Sequence, residues 1–271
     1  MPFNTLGLRI FKYGVVDAFS DRPFSGNPAA VVIVEWHLLD SEMQQVAAEF
    51  NLSETAFLTP TDALNEFGLR WFTPTSEVKL CGHATLAAAV YLAEVRGVTS
   101  PTIGFDTLSG RLVSHRGNDG TTLDFPATPI TPFEDQIDWV LGLGSLPAEV
   151  WRAGDDVLVV FPRHEDVVAM APQMSEIAKI NCRGVIVTAP GVSPYTCTSR
   201  MFAPRLGISE DPVTGSAHCA LAVYWQKRLG LSAIRGFQAS ARTGHMDARH
   251  IGDRVSLTGT AQLIAKGELF L

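Results

Sequence analysis

Two stretches of this chain are near copies of one another. Gly82-His83-Ala84-Thr85-Leu86-Ala87-Ala88-Ala89-Val90-Tyr91-Leu92 aligns without a gap on Gly215-Ser216-Ala217-His218-Cys219-Ala220-Leu221-Ala222-Val223-Tyr224-Trp225, with six of the eleven positions identical. Upstream the match continues at an offset of 130, pairing Asn51 with Asn181, Pro60 with Pro190, Phe72 with Phe202 and Pro74 with Pro204, and a three-residue difference falls before the helix. A single repeat of this length predicts two similar lobes rather than a solenoid. Each copy follows one grammar: strand, Phe-x-Pro, polar loop, then a small-residue turn opening an apolar helix. Ala-rich helices resemble each other by composition alone, but the colinear upstream matches do not follow from composition. A cleft between such lobes is where a ligand site is expected.

The pattern of elements refines this. Apolar, β-branched runs predict strands at 14–19 and 29–34, 56–58 and 69–72 read as strands too, and spacing predicts a helix over 42–50 before the first repeat helix over 82–95. Short strands follow at 102–105, 110–115 and 121–125. Three prolines between Pro126 and Pro132 predict a linker, because proline neither donates to a sheet nor continues a helix. The second half repeats the order, with strands at 157–161, 184–188 and 196–202, helices at 175–179 and 215–229, and strands at 237–241, 254–258 and 261–266. Strands outnumber helices and hairpin spacing argues against a doubly wound parallel sheet. The expected fold class is therefore α+β, with residues 1–125 as one lobe, to which the final strand is free to return, and 126–271 as the other. Each apolar helix needs cover on all sides, which a curved mixed sheet wrapped around it supplies.

Composition excludes several classes of partner. A net charge of −7 in 271 residues, with no cluster of Lys and Arg, argues against nucleic acid. No apolar run approaches the roughly 20 residues of a membrane span. Met1-Pro2-Phe3-Asn4 carries no secretory pattern, so the expected compartment is the cytoplasm. The four cysteines, Cys81, Cys182, Cys197 and Cys219, are scattered without metal or disulfide spacing, and His245 and His250 are isolated. Gly142-Leu143-Gly144 lacks the third glycine of a dinucleotide fingerprint, so neither metal nor cofactor is expected.

Chemistry concentrates where the copies open their helices and where they differ. A helix N-terminus presents unpaired amides and a partial positive charge, suited to a carboxylate or phosphate. Gly82 and Gly215 permit close approach of a ligand, and Thr214 or Ser216 either caps the second helix or donates to the ligand. Glu54 faces Gly184 in the repeat, and Asp211 faces Glu77 or Lys79 depending on where the gap falls. One carboxylate per lobe suits proton transfer, one group acting as base while the other orients. His83, beside Cys81 at the first turn, is expected to be a neutral hydrogen-bond donor, since the helix dipole disfavours imidazolium there.

Taken together, Asp17-Ala18-Phe19, Phe24-Ser25-Gly26-Asn27-Pro28-Ala29, Asn51-Leu52-Ser53-Glu54-Thr55-Ala56-Phe57, Phe72-Thr73-Pro74, Cys81-Gly82-His83-Ala84-Thr85 and Asp211-Pro212-Val213-Thr214-Gly215-Ser216-Ala217-His218 resemble the phenazine biosynthesis PhzF-like isomerase family over nearly the whole chain. The resemblance implies a diaminopimelate-epimerase-like fold of two pseudo-symmetric lobes, a site between them, no cofactor and a homodimer. It carries a general acid/base onto Glu54, active-site roles onto His83 and Asp211, the small polar residue onto Ser216, and a ligand contact onto Asn27. It implies a cofactor-free proton shift within a small carboxylated substrate. Related epimerases and racemases use two cysteines, one at each helix start. Here the positions hold Cys81 and Thr214, and threonine is no thiolate base, so a one-base isomerase is expected. The alternatives are an epimerase that depends on Cys81, and a non-catalytic protein that binds a small molecule on the same fold.

Overall fold

The computed structural model describes residues 8–134 and 138–271; the N-terminal residues read for a secretory signal lie outside them. Contacts divide the chain into two compact units, one running to Asp124 and including Thr258–Leu271, the other Phe125–Leu257.

In the first unit the order is β1 (Ile10–Ala18), β2 (Asn27–Ile33), α1 (Asp40–Phe50), β3 (Glu54–Pro60), β4 (Glu66–Phe72), β5 (Glu77–Val78), α2 (Gly82–Glu94), β6 (Thr102–Thr107), β7 (Gly110–Gly117) and β8 (Gly120–Pro126). In the second it is β9 (Ile130–Pro132), β10 (Glu149–Ala153), β11 (Asp156–Val160), the short helices α3 (His164–Val168) and α4 (Met174–Ile177), β12 (Val185–Pro190), β13 (Cys197–Ala203), β14 (Ile208–Asp211), α5 (Gly215–Leu229), β15 (Ile234–Gln238), β16 (Gly244–Ile251) and β17 (Arg254–Gly259). The last strand, β18 (Ala261–Phe270), pairs antiparallel with β1 and so belongs to the first unit.

Pairing shows the repeat directly. In the first unit β2–β3 is parallel, β3–β4 antiparallel, β4–β6 parallel and β6–β7 antiparallel. In the second, β11–β12 is parallel, β12–β13 antiparallel, β13–β15 parallel and β15–β16 antiparallel. A short antiparallel strand adds to the middle of each, β5 on β4 and β14 on β13. One buttress is duplicated to the atom. Arg70 clamps Glu77 through two bonds of 2.7 and 2.8 Å with its guanidinium 5.1 Å from the Phe72 ring, and Arg200 clamps Glu210 through bonds of 2.7 and 2.9 Å at 4.9 Å from the Phe202 ring. The planar fork fixes each short strand against its neighbour.

These pairs also locate the repeat's gap. Trp71 pairs with Val78 while Met201 pairs with Asp211, so the extra three residues lie between β13 and β14 and the counterpart of Asp211 is Val78. The expectation of Glu77 or Lys79 is thereby corrected; Glu77 is the counterpart of Glu210.

The helices sit as their composition dictates. α2 touches β1, β2, β3 and β18 and is buried along nearly its whole length, from His83 to Leu92. An α-helix covered on all sides must be apolar throughout, and the Ala-rich sequence lets strands approach closely. α5 is likewise largely buried between Gly215 and Gln226, Ser216 being exposed, and touches β9, β15 and β16. α1 is amphipathic: Met43, Val46 and Ala47 join Phe11, Val32, Phe57 and Phe72 in a separate core. Each large apolar side chain in such a cluster contributes roughly 1.5–3 kcal/mol by leaving water.

The predicted linker differs from the structure. Ile130–Pro132 forms β9 and pairs with β10, because a strand edge tolerates a proline that has no N–H to donate.

Candidate functional site

Asn27, Glu54 and Cys81-Gly82-His83 come together in the first unit. Asn27 opens β2, Glu54 opens β3 beside it in the parallel register Ala29↔Glu54, and Cys81 is the N-cap of α2. Cys81 makes no side-chain cap, so its sulfur is available to His83, with Sγ 3.5 Å from Nδ1. Asn27 Nδ2 lies 3.3 Å from the same nitrogen. On the other side of the ring, Nε2 is 3.1 Å from Glu54 Oε2. That is ion-pair distance, yet the ring N–H is not aimed at the oxygen and Nε2 makes no hydrogen bond. Cys81 and His83 are buried, at 6 % and 5 % exposure, while the Glu54 side chain is 15 % exposed.

Electrostatics follow from this packing. Burial pushes the Cys81 thiol pKa up, and the charge of Glu54 pushes it the same way, so the thiol stays protonated at neutral pH. For His83 burial opposes the charged ring, but Cys81 and Glu54 outweigh it and hold its pKa well above the ordinary value. The ring is thus inclined toward the charged form, against the neutral donor expected from the helix N-terminus.

Asp211, Thr214, Gly215 and Ser216 come together in the second unit. Thr214 is the N-cap of α5 without capping it; its hydroxyl donates to Asp211 Oδ2 instead. Gln238, buried at the end of β15, accepts from the Thr214 N–H at 2.9 Å and donates to the Asp211 carbonyl at 2.7 Å and to Thr214 Oγ1 at 3.1 Å. The exposed Ser216 does not cap either: Arg183 Nη2 donates to its Oγ at 2.9 Å. Arg183 is itself clamped by the buried Asp156, which holds its pKa up. The capping alternative for Thr214 and Ser216 is therefore not what their side chains do.

Residues that sequence reasoning missed are Arg183, Asp156, Gln238 and Phe24. Arg183 left a trace, since it precedes Gly184, the repeat partner of Glu54. Gln238 left none, being placed by a strand pairing rather than by any motif. Phe24 stands 76 % exposed with a left-handed φ of 66°, its N–H bonded to the buried Asp17 carboxylate at 2.7 Å.

A mixed α+β architecture with an internal repeat is the epimerase-like fold. At 9 % identity a hydroxyproline epimerase from Agrobacterium vitis superposes with a TM-score of 0.62 over 97 % of this chain and 93 % of its own, which concerns the fold alone. The sequence model of the phenazine biosynthesis-like protein family matches residues 16–267. An uncharacterized isomerase of Pseudomonas aeruginosa is 44 % identical over 96 % of this chain and 98 % of its own. The crystal structure of a phenazine biosynthesis protein of the PhzF family from Enterococcus faecalis is 40 % identical, with a TM-score of 0.92 over 97 % of this chain and all of that one. The chain belongs to the PhzF-type phenazine biosynthesis-like family. No helix among the described residues is long and apolar enough to cross a membrane.

Proposed function

We propose that this protein is a cofactor-independent isomerase that moves a proton within a small carboxylated metabolite, with Glu54 as the general acid/base. The observation that carries the reading is the contact of Glu54 with His83 at 3.1 Å: a partly exposed carboxylate beside a buried, positively inclined imidazole. Such a carboxylate can take a carbon-bound proton and return it to another carbon, and its neighbour stabilises the charge that develops. His83 and Asp211 orient polar substituents, and Gly82, Gly215 and Ser216 hold the carboxylate, as the family resemblance implies. Asn27 and Thr214 support His83 and Asp211 through the contacts above. The raised Cys81 pKa favours one base over a thiolate-dependent epimerase, because the thiolate is the reactive form.

The test is solvent-deuterium incorporation into candidate 2-amino and 3-hydroxy acids in D2O. Glu54→Gln keeps the shape and removes the base, so incorporation should fall about 10²- to 10⁴-fold. Cys81→Ser should be mild. Exchange that survives in Glu54→Gln refutes the assigned base, and exchange abolished in Cys81→Ser moves the assignment to the epimerase alternative.

A further inference from the structure

We propose that Glu54, Cys81 and His83 form a site for a thiophilic divalent cation of the zinc class, and that filling it shuts off the enzyme. No spacing in the sequence announces this site, since the three residues span two elements. In space their donor atoms all lie within 4.8 Å of one another, and each belongs to a different zinc-ligand type: carboxylate, thiolate and imidazole. Tetrahedral bonds of about 2.3 Å to sulfur and 2.0–2.1 Å to nitrogen and oxygen set the ligands roughly 3.3–3.6 Å apart. Cys81 Sγ already stands 3.5 Å from His83 Nδ1, one edge of the tetrahedron, while Glu54 Oε2 lies 3.1 Å from the other ring nitrogen, Nε2. Closing the site about Nδ1 asks for the Glu54 side chain, the least buried of the three, to swing toward that nitrogen.

Three protein ligands leave a fourth position for water, the coordination of an open rather than a closed zinc site.

Binding forms one metal–sulfur, one metal–nitrogen and one metal–oxygen bond. It expels the thiol proton of Cys81, and the ring proton of His83 when that is charged, to solvent; nothing is oxidised or reduced. Because protons compete for two of the three ligands, affinity rises with pH. Inhibition rests on the acid/base assignment above, since the ion would occupy the lone pair of Glu54 that accepts the substrate's proton. Binding itself does not depend on that assignment.

The experiment titrates Co²⁺ into the EDTA-treated full chain and reads absorbance, followed by displacement with Zn²⁺. The expected result is one equivalent bound, with a cobalt–thiolate charge-transfer band. Cys81→Ser should lose the band and weaken binding by more than the roughly 10- to 100-fold that an outer-shell partner costs. Cys182→Ser, outside the cluster, should keep it, and Glu54→Gln should keep the band while binding more weakly, which covers the case of a misfolded Cys81→Ser. Absence of the band at one equivalent, or a band surviving in Cys81→Ser, overturns the site. Exchange that persists in the zinc-loaded protein overturns the shut-off. A cobalt-thiolate band in a protein that never exchanges supports the site and counts against the proposed isomerase instead.

Discussion

Replacing His218 by asparagine should remove most of the acid sensitivity of the second unit. His218 lies two residues beyond Ser216 and is the repeat counterpart of Thr85; in the structure it is a core residue, 0 % exposed. Its Nδ1 lies 2.8 Å from the Thr214 carbonyl, its Nε2 has no hydrogen bond, and a Cβ on Gly236 would meet the ring at 2.5 Å. Burial pushes its pKa down to about 4, against a weaker upward pull from the Thr214 carbonyl. A base whose folded pKa is depressed binds fewer protons folded than unfolded between its two pKa values. Stability is therefore intact above the unfolded pKa, about 6.5, and is lost as pH falls from there toward 4. By linkage the loss reaches about 2 kcal/mol by about pH 5. Asparagine keeps an N–H for Thr214 and does not titrate; its smaller volume costs stability equally at every pH. Urea unfolding of both proteins at about pH 7.5 and about pH 5 measures the difference, in which groups common to both cancel. His83, whose raised pKa acts with opposite sign, is among these. Curves that stay parallel within about 0.5 kcal/mol refute the reasoning.

Phe24→Gly should stabilise the protein by about 1 kcal/mol in thermal or urea unfolding, since relief of a left-handed φ is worth roughly 1–3 kcal/mol against about 0.4–1 for the freer unfolded chain, and the exposed ring leaves no cavity. Gly26→Ala should do the reverse and cost more than about 2 kcal/mol, because its φ is +73° and a Cβ there would stand 2.2 Å from the Ala18 carbonyl oxygen; a neutral result means the loop relaxes freely. Arg183→Met strands the buried Asp156 carboxylate and should cost about 2 kcal/mol, less than for a wholly buried pair since the Arg183 side chain is 39 % exposed. Restoring the lost stability by adding Asp156→Asn would show that the unpaired charge is the cause.

Much of the frame was legible because it rests on local signals. The helix Gly82–Glu94 and the helix Gly215–Leu229 follow from apolar runs opened by glycine, β12 from a β-branched string, and β3, β4 and β13 from apolar and aromatic runs that the repeat reinforces. β10 and β16 carry no such signal, since Glu149–Ala153 and Gly244–Ile251 mix charged with apolar residues and gain their order from partner strands. The short helix α3 lacks the length for a periodic signal. In the site, Glu54, His83 and Cys81 could be named from motifs, but not the raised pKa of His83, which depends on its contacts with Cys81 and with a glutamate on another element. The Asp211–Thr214–Gln238 network was half visible, as Gln238 arrives through the parallel pairing of Ser199 with it.

The two copies show what duplication permits. Both place a strand start and a helix start side by side, and both keep the Arg–Glu clamp that braces the short strand, so the frame is shared between them. What changed are the side chains at the frame's open end. In the first unit that end holds Glu54, Cys81 and His83, where burial raises the Cys81 pKa and the contacts of Cys81 and Glu54 raise that of His83. In the second, Gly184 replaces the glutamate, the adjacent Arg183 reaches Ser216, and Asp211, standing where Val78 stands, takes the threonine hydroxyl. Arg183 does not titrate near neutrality, and its clamp on Asp156 fixes its position, so this end offers oriented polar groups rather than a mobile proton. A racemase needs a proton acceptor in each copy. Here the carboxylate–imidazole pair lies in one copy, while Asp211 of the other is engaged by the Thr214 hydroxyl, and that division is the physical reason to expect a proton to leave and return through a single carboxylate.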